Sequence, residues 1–155
     1  MASAKRKQTP AELLVLEDFL PYRLSVLSNR ISRAIAARYA KTFELSIPEW
    51  RIIAVLGRRP GLTAKEIAEA TEMDKVAVSR AVAKLVESKR VVARADRDDA
   101  RRQILALTAQ GENVHARIAP IALENEQRLL ATLDTRERAQ LDVLLDRLLT
   151  AAKTL

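Results

Sequence analysis

The chain has 155 residues, a length typical of one domain, and a formal net charge of +7. It has no cysteine, one histidine (His115) and three glycines (Gly57, Gly61 and Gly111). These counts exclude disulfides, thiol chemistry, a cysteine- or histidine-built metal site and a glycine-rich phosphate loop. Hydrophobic residues make up 48%, too many for a disordered chain. No apolar run nears the ~20 residues that cross a bilayer, and no signal pattern opens the chain, so the expected setting is a reducing cytoplasm without membrane contact.

Residues 1–10 read as a flexible basic tail carrying Lys5, Arg6 and Lys7. From about 11 to 40, Leu13, Leu16, Leu20, Leu24, Leu27, Ile31 and Ile35 recur at helical spacing on one face. Pro21 lies inside this run and must kink or restart the helix. Ser46-Ile47-Pro48-Glu49 is a capping box, opening a short helix over 48–57 that stops at Gly57. A turn, Arg58-Arg59-Pro60-Gly61, precedes a second box, Thr63-Ala64-Lys65-Glu66, and a helix over 64–70. After Thr71-Glu72-Met73, Asp74 caps a helix over 75–88 with Val78, Val82, Leu85 and Val86 as its buried stripe.

Val91-Val92-Ala93 and Ile104-Leu105-Ala106-Leu107 read as two short strands joined by a charged tip, Asp96 to Arg102. Thr108 caps a helix over 109–131 in which Pro120 predicts a bend. Asp134-Thr135-Arg136-Glu137 opens a last helix with Leu141, Leu144, Leu145, Leu148 and Leu149 on one stripe. The expected fold is mainly α with a small β-hairpin wing. A winged helix-turn-helix over 46–108 lies between dimerisation helices at 11–45 and 109–155. Leucine stripes at both ends exceed what a winged domain of about 60 residues has surface to bury, which supports pairing of two chains. Both helices folding back on their own domain is the plain alternative.

Charge falls where this order of elements needs it. Residues 10–74 carry nine basic and nine acidic side chains, whereas 75–102 carry nine basic and four acidic. A concentrated basic stretch on a neutral body suits a polyphosphate partner. The second helix of a helix-turn-helix presents its N-terminal residues to the major groove. Here spacing leaves Lys75, Val76, Ser79 and Arg80 outward, Ala77 at the boundary and Lys84 farther along. Arginine pairs with guanine, serine donates or accepts, and valine or alanine touches a thymine methyl, while Lys84 suits a phosphate. Thr63, opening the preceding helix, joins this DNA-facing set. The hairpin tip holds Arg97, Arg101 and Arg102 together with Asp96, Asp98 and Asp99. Asp99 and Arg101, two apart on an extended chain, share a side, so the carboxylate is expected to aim the Arg101 guanidinium into a narrow minor groove. A mixed-charge exposed turn is the plain alternative.

The arrangement resembles the MarR family of transcriptional regulators over about 12–150. The residues that carry the resemblance are Leu62-Thr63-Ala64-Lys65-Glu66-Ile67-Ala68, Met73-Asp74-Lys75-Val76-Ala77-Val78-Ser79-Arg80, and Asp99-Ala100-Arg101-Arg102 running into Leu107-Thr108-Ala109-Gln110-Gly111. The resemblance implies a homodimer on a palindromic operator in double-stranded DNA, acting as a repressor. It also implies a small effector, commonly an aromatic acid, held between the dimer helices and the winged domain. Lys75, Val76, Ala77, Ser79 and Arg80 match base-contacting positions of the family, and Arg101 matches its wing-tip arginine. The chain departs from the family at Ser88-Lys89-Arg90, where members often have glycine before the first wing strand. Val76 and Ala77 also replace small hydroxyl residues, which predicts more thymine-directed contact.

Phe19 to Arg30 mixes aromatic, amide and guanidinium groups on the helix that Pro21 interrupts. Tyr22, Arg23, Asn29 and Arg30, with Trp50, are expected to frame an apolar slot with cationic ends, fit for an aromatic carboxylate or its coenzyme A thioester. The segment resembles that of MarR members sensing plant-derived aromatic acids. Tyr22 and Trp50 as core residues, with the arginines in ion pairs, stand as the plain alternative. His115 reads as a solvated or interface residue. A ligand-independent winged-helix module binding DNA or protein is the competing function. One histidine, no cysteine and no paired catalytic carboxylates argue against an enzyme, and no cofactor or metal is expected.

Overall fold

Local caps place most of the helix starts. In the computed structural model, which describes residues 14–155, the helices are α1 (Leu20–Phe43), α2 (Ile47–Arg58), α3 (Ala64–Thr71), α4 (Lys75–Glu87), α5 (Ala109–Leu130) and α6 (Thr135–Ala152). Strands β1 (Val91–Ala95) and β2 (Gln103–Leu107) form an antiparallel hairpin between α4 and α5. Ser46, Thr63, Asp74, Thr108 and Asp134 each accept a bond from a backbone N–H of the helix they precede. At Ser46, Thr63 and Asp134 the glutamate three residues on closes the box. Each such cap stabilises by about 1 kcal/mol.

The first helix begins later than its apolar period suggests. Residues Leu16–Asp18 form a 3-10 turn, Phe19 is extended, and Pro21 falls in the first turn of α1. There its missing N–H removes no helical bond, so the helix restarts at Leu20. The expected basic tail and Leu13 lie outside the described residues. Gly57 lies inside α2 instead of ending it, because the helix runs on to Arg58. The His115 ring covers Gly57 so closely that a Cβ there would meet its Cδ2 at 2.7 Å. In α4 the buried residues are Val78, Ala81 and Leu85, whereas Val86, expected inside, is 40% exposed. α5 runs through Pro120 to Leu130.

The core fills the space between α1's C-terminal end, α2, α3, α4, the hairpin and the first half of α5. Ile52, Ile53, Leu56, Ile67, Leu85 and Ile118 are fully buried within it. The hairpin runs from Val91 opposite Leu107 to Ala95 opposite Gln103. A third short segment joins it: Leu105 donates to the Leu62 carbonyl at 2.8 Å and accepts from Gly61 N–H at 2.8 Å. This pairing fixes the wing to the α2–α3 turn.

The α4–β1 junction closes without glycine. Lys89 N–H donates to Val86 O at 3.0 Å and Arg90 N–H to Leu85 O at 2.9 Å, with Lys89 left-handed at φ +58°. That is a Schellman ending with lysine where glycine is usual. Two further contacts lock the joint. The Arg90 guanidinium donates to the Phe43 carbonyl at the end of α1. The Arg90 carbonyl accepts from Thr108 N–H at 3.1 Å. A Cβ at Gly111 would stand 2.0 Å from that carbonyl, so the start of α5 can approach β1 only with glycine there.

The chain ends differ from the middle. No residue of α6 is buried, and Val143, Leu144, Leu148 and Leu149 are each 45–65% exposed. Leu20, Leu24 and Leu27 of α1 are likewise exposed. No described helix is long and apolar enough to cross a membrane.

Candidate nucleic-acid interface

α4 divides into a buried and a wet face, as its period requires. Val78, Ala81 and Leu85 hold it to the core, Ala77 and Val82 are half-buried, and Lys75, Val76, Ser79, Arg80, Ala83 and Lys84 are exposed. The Asp74 carboxylate accepts from Val76 N–H at 2.9 Å and Ala77 N–H at 3.0 Å, which fixes the helix start. A groove of about 190 Å³ runs between this start and α3, lined by Ala64, Lys65, Lys75 and Ser79. On the other flank a groove of about 220 Å³ is lined by Ser46, Pro48, Ala77, Arg80, Ala81 and Lys84. Basic groups therefore border α4 on both sides. Lys65 and Ala83 were not among the residues singled out from sequence. Ala83 could have been found by adding two helical turns to Val76.

Thr63 is occupied locally. Its hydroxyl and N–H both donate to the Glu66 carboxylate, at 2.9 and 2.8 Å. The other Glu66 oxygen accepts from the Arg102 guanidinium at 3.0 Å, and Arg102 also pairs with Asp96 at 3.5 Å. The Thr63 N–H, its hydroxyl and then Arg102 hold the Glu66 carboxyl below the usual carboxylate range. Arg102 thus ties the base of the wing to the start of α3. Its pairing partner lies 36 residues away in sequence, so no spacing rule reports it.

Arg97 and Arg101 are exposed at the tip with Asp98 and Asp99. Asp99 accepts from the Arg101 backbone N–H at 3.0 Å, and its carboxylate makes no ion pair with the Arg101 guanidinium among the described residues. The expectation that Asp99 aims the guanidinium is corrected: Ala100 and Arg101 lie in a turn, so the two-residue spacing does not set both side chains on one side as it would on a strand. Asp96 and Asp99 serve as turn formers, Asp96 accepting from Asp98 N–H at 3.1 Å.

The residues expected to frame an apolar slot separate into two places. Tyr22, Arg23 and Arg30 line an open groove of about 310 Å³ on α1 with Glu17, Val26 and Leu27. Asn29 is exposed beside it on the same helix. Trp50 is elsewhere, half-buried between Tyr39, at 5.9 Å between ring centroids, and His115, stacked at 6.0 Å. Tyr22 and Tyr39 lie about 25 Å apart along α1, at 1.5 Å per residue, so one chain cannot bring Tyr22 to Trp50. His115 is half-buried in this stack, not solvated. Burial pushes the Tyr39 phenol up to about 12, with Arg51 opposing and Glu49 adding to the rise.

A family model described as MarR family matches residues 43–102. The HTH-type transcriptional regulator BilQ of Clostridium symbiosum (strain WAL-14163) is 30% identical over 96 residues, covering 62% of this chain and 67% of that protein. A MarR/EmrR family transcriptional regulator from Acinetobacter sp. ADP1 has a TM-score of 0.83 at 27% identity, covering 92% of this chain and 100% of that one. MepR of S. aureus, solved as a DNA complex, has a TM-score of 0.76 at 22% identity, covering 88% and 98%. At that identity the likeness to MepR is one of fold.

Proposed function

The chain belongs to the MarR family of winged helix-turn-helix, DNA-binding transcriptional regulators, and from that premise we propose that it is a homodimeric repressor of a palindromic operator. The observation that carries the reading is the exposed, basic-flanked face of α4 set beside a wing with Arg97 and Arg101 free of ion pairs among the described residues. In this reading α4 enters the major groove, with Lys75, Val76, Ser79 and Arg80 at base edges, half-buried Ala77 at their margin, and Lys84 on a phosphate. Arg97 and Arg101 reach the neighbouring minor groove or its phosphates. Thr63, Asp99 and Arg102 shape this surface through bonds within the chain, Thr63 and Arg102 to Glu66 and Asp99 to the Arg101 N–H.

Two copies pair through the exposed apolar faces of α1, α5 and α6. The groove of about 730 Å³ on α6, lined by Leu144, Leu148 and Ala151 among others, has no cover from the described residues of its own chain. Apolar stripes of this extent favour burial against another surface. An aromatic carboxylate, or its coenzyme A thioester, relieves repression from the α1 groove. Tyr22 offers a ring face there, and Arg23 and Arg30 offer cationic partners. Trp50 takes no part within one chain.

Selection of bound fragments from genomic DNA, with the mass of the complex measured in solution, tests the central reading. A single chain that ignores every duplex overturns it. Hydroxycinnamates and their thioesters are expected to raise the melting temperature and release DNA. No shift with any of them, while DNA binding is intact, removes the effector assignment.

A further inference from the structure

We propose that a ridge of Val76 and Ala83 on α4 reads the C5 methyl groups of thymines in the operator. The proposal rests on the reading that α4 lies in the major groove and adds what it recognises there.

The placement follows from helix geometry. At 100° per residue, Val76 and Ala83 fall within about 20° of one another, two turns apart. They lie opposite the stripe of Val78, Ala81 and Leu85 that seats the helix on the core. Ser79 stands to one side of this line with Lys75 and Lys65, and Arg80 to the other with Lys84. From Val76 to Ala83 the most outward line of the helix is therefore apolar and its flanks are basic; Glu87, exposed one turn beyond Ala83 and within about 20° of Val76, ends that line with an acid. Val76 is 56% exposed, while Val78, two residues on, is 1% exposed. That exposed part of Val76 is covered by none of the described residues, so it faces water until a partner arrives. A duplex presents one apolar group on the floor of the major groove, the thymine methyl, and rows of phosphate at its rims. An apolar ridge between basic flanks has that same order across its width. Lys65 faces one rim and Lys84 the other, which holds the ridge over the base edges.

Ala77, expected from sequence to share this contact, is half-buried against the groove lined by Ser46 and Pro48. Ala83 replaces it on the outward line, farther along the groove. The two methyl contacts are then about 10 Å apart along the helix axis, at 1.5 Å per residue, which spans roughly two to three base steps for a helix inclined along the groove, each step rising about 3.4 Å along the duplex axis. The spacing predicts two thymines in each half-site separated by about two to three base steps.

The test uses the full-length protein and the duplex recovered by genomic selection. Each thymidine is replaced singly by deoxyuridine, which removes the methyl and keeps every hydrogen-bonding group. At one or two positions per half-site the affinity is expected to fall about fourfold, the effect of one buried methyl group. Val76→Ser should weaken binding to the parent duplex and abolish the difference between thymidine and deoxyuridine at one of those positions. It should leave the dependence on salt unchanged, whereas Lys84→Ala should reduce the salt slope by about 1. Val76 is exposed, so the serine variant should melt with the wild type. Affinity that is indifferent to deoxyuridine at every position overturns the proposal while leaving DNA binding standing. A Val76→Ser variant that keeps the full thymidine preference at all sensitive positions overturns it too. Failure to bind any duplex sinks the underlying reading as well.

Discussion

Single residues hold the joints of this fold, and two of them make opposite demands on the backbone. Lys89 sits in the left-handed region at φ +58°, where a side chain costs about 1–2 kcal/mol. Glycine would relieve that strain but lose about 0.5–1 kcal/mol to its greater freedom when unfolded. Lys89→Gly is therefore expected to stabilise slightly, by up to about 1 kcal/mol in urea unfolding; a clear loss would contradict the Schellman ending. Gly111 is the reverse case. A methyl group there meets the Arg90 carbonyl, which is backbone and cannot swing away. Gly111→Ala should cost about 1–3 kcal/mol and lower the denaturation midpoint. In the proposed DNA-binding mode, Arg80 pairs with guanine. Arg80→Ala should cost about 1–3 kcal/mol on the selected duplex and relax preference at one base pair. An equal loss on all sequences would make it a phosphate contact instead.

At the scale of elements, the wing is held by polar contacts as well as by strand pairing. Glu66 joins two parts: it closes the α3 capping box and, by accepting from Arg102, reaches the hairpin base. Its carboxyl lies below the ordinary range when folded. A depressed folded value means that its stabilisation is present above the unfolded carboxylate range and fades as pH falls through the folded value. Melting temperatures of wild type and Glu66→Gln should therefore differ near neutral pH and converge in acid. A gap that stays constant into strong acid would show that the charge plays no part. The whole motif was legible because its parts are local signals. Caps at Ser46, Thr63, Asp74 and Thr108 each depend on residues two or three positions apart. The Arg102–Glu66 pair and the Leu62–Leu105 bridge were not legible, since neither periodicity nor capping rules extend across such separations.

For the whole molecule, a well-filled middle contrasts with apolar ends that the described residues leave open. The described buried residues run from Tyr39 to Ile118, while α6 contributes none. In the homodimer we propose, these ends become the shared core. Leu144→Glu combined with Leu148→Glu should then shift the protein towards single chains in sedimentation, since charges resist transfer into an apolar interface. Operator affinity should fall with it, because two linked half-site contacts become one. Wild-type mass in the double variant would place the contact between copies elsewhere.

The order of elements, the caps, the two-faced character of α4 and the basic stretch over 75–102 followed from sequence alone, because each depends on neighbours within a turn or two of helix. Tertiary structure decided the rest. It put Trp50 against Tyr39 and His115, far along α1 from Tyr22. It bound Arg102 to Glu66, turned Asp99 onto a backbone N–H and left Leu144, Leu145, Leu148 and Leu149 of α6 exposed. A periodic pattern states which face of a helix is apolar; only packing determines what, if anything, lies against that face.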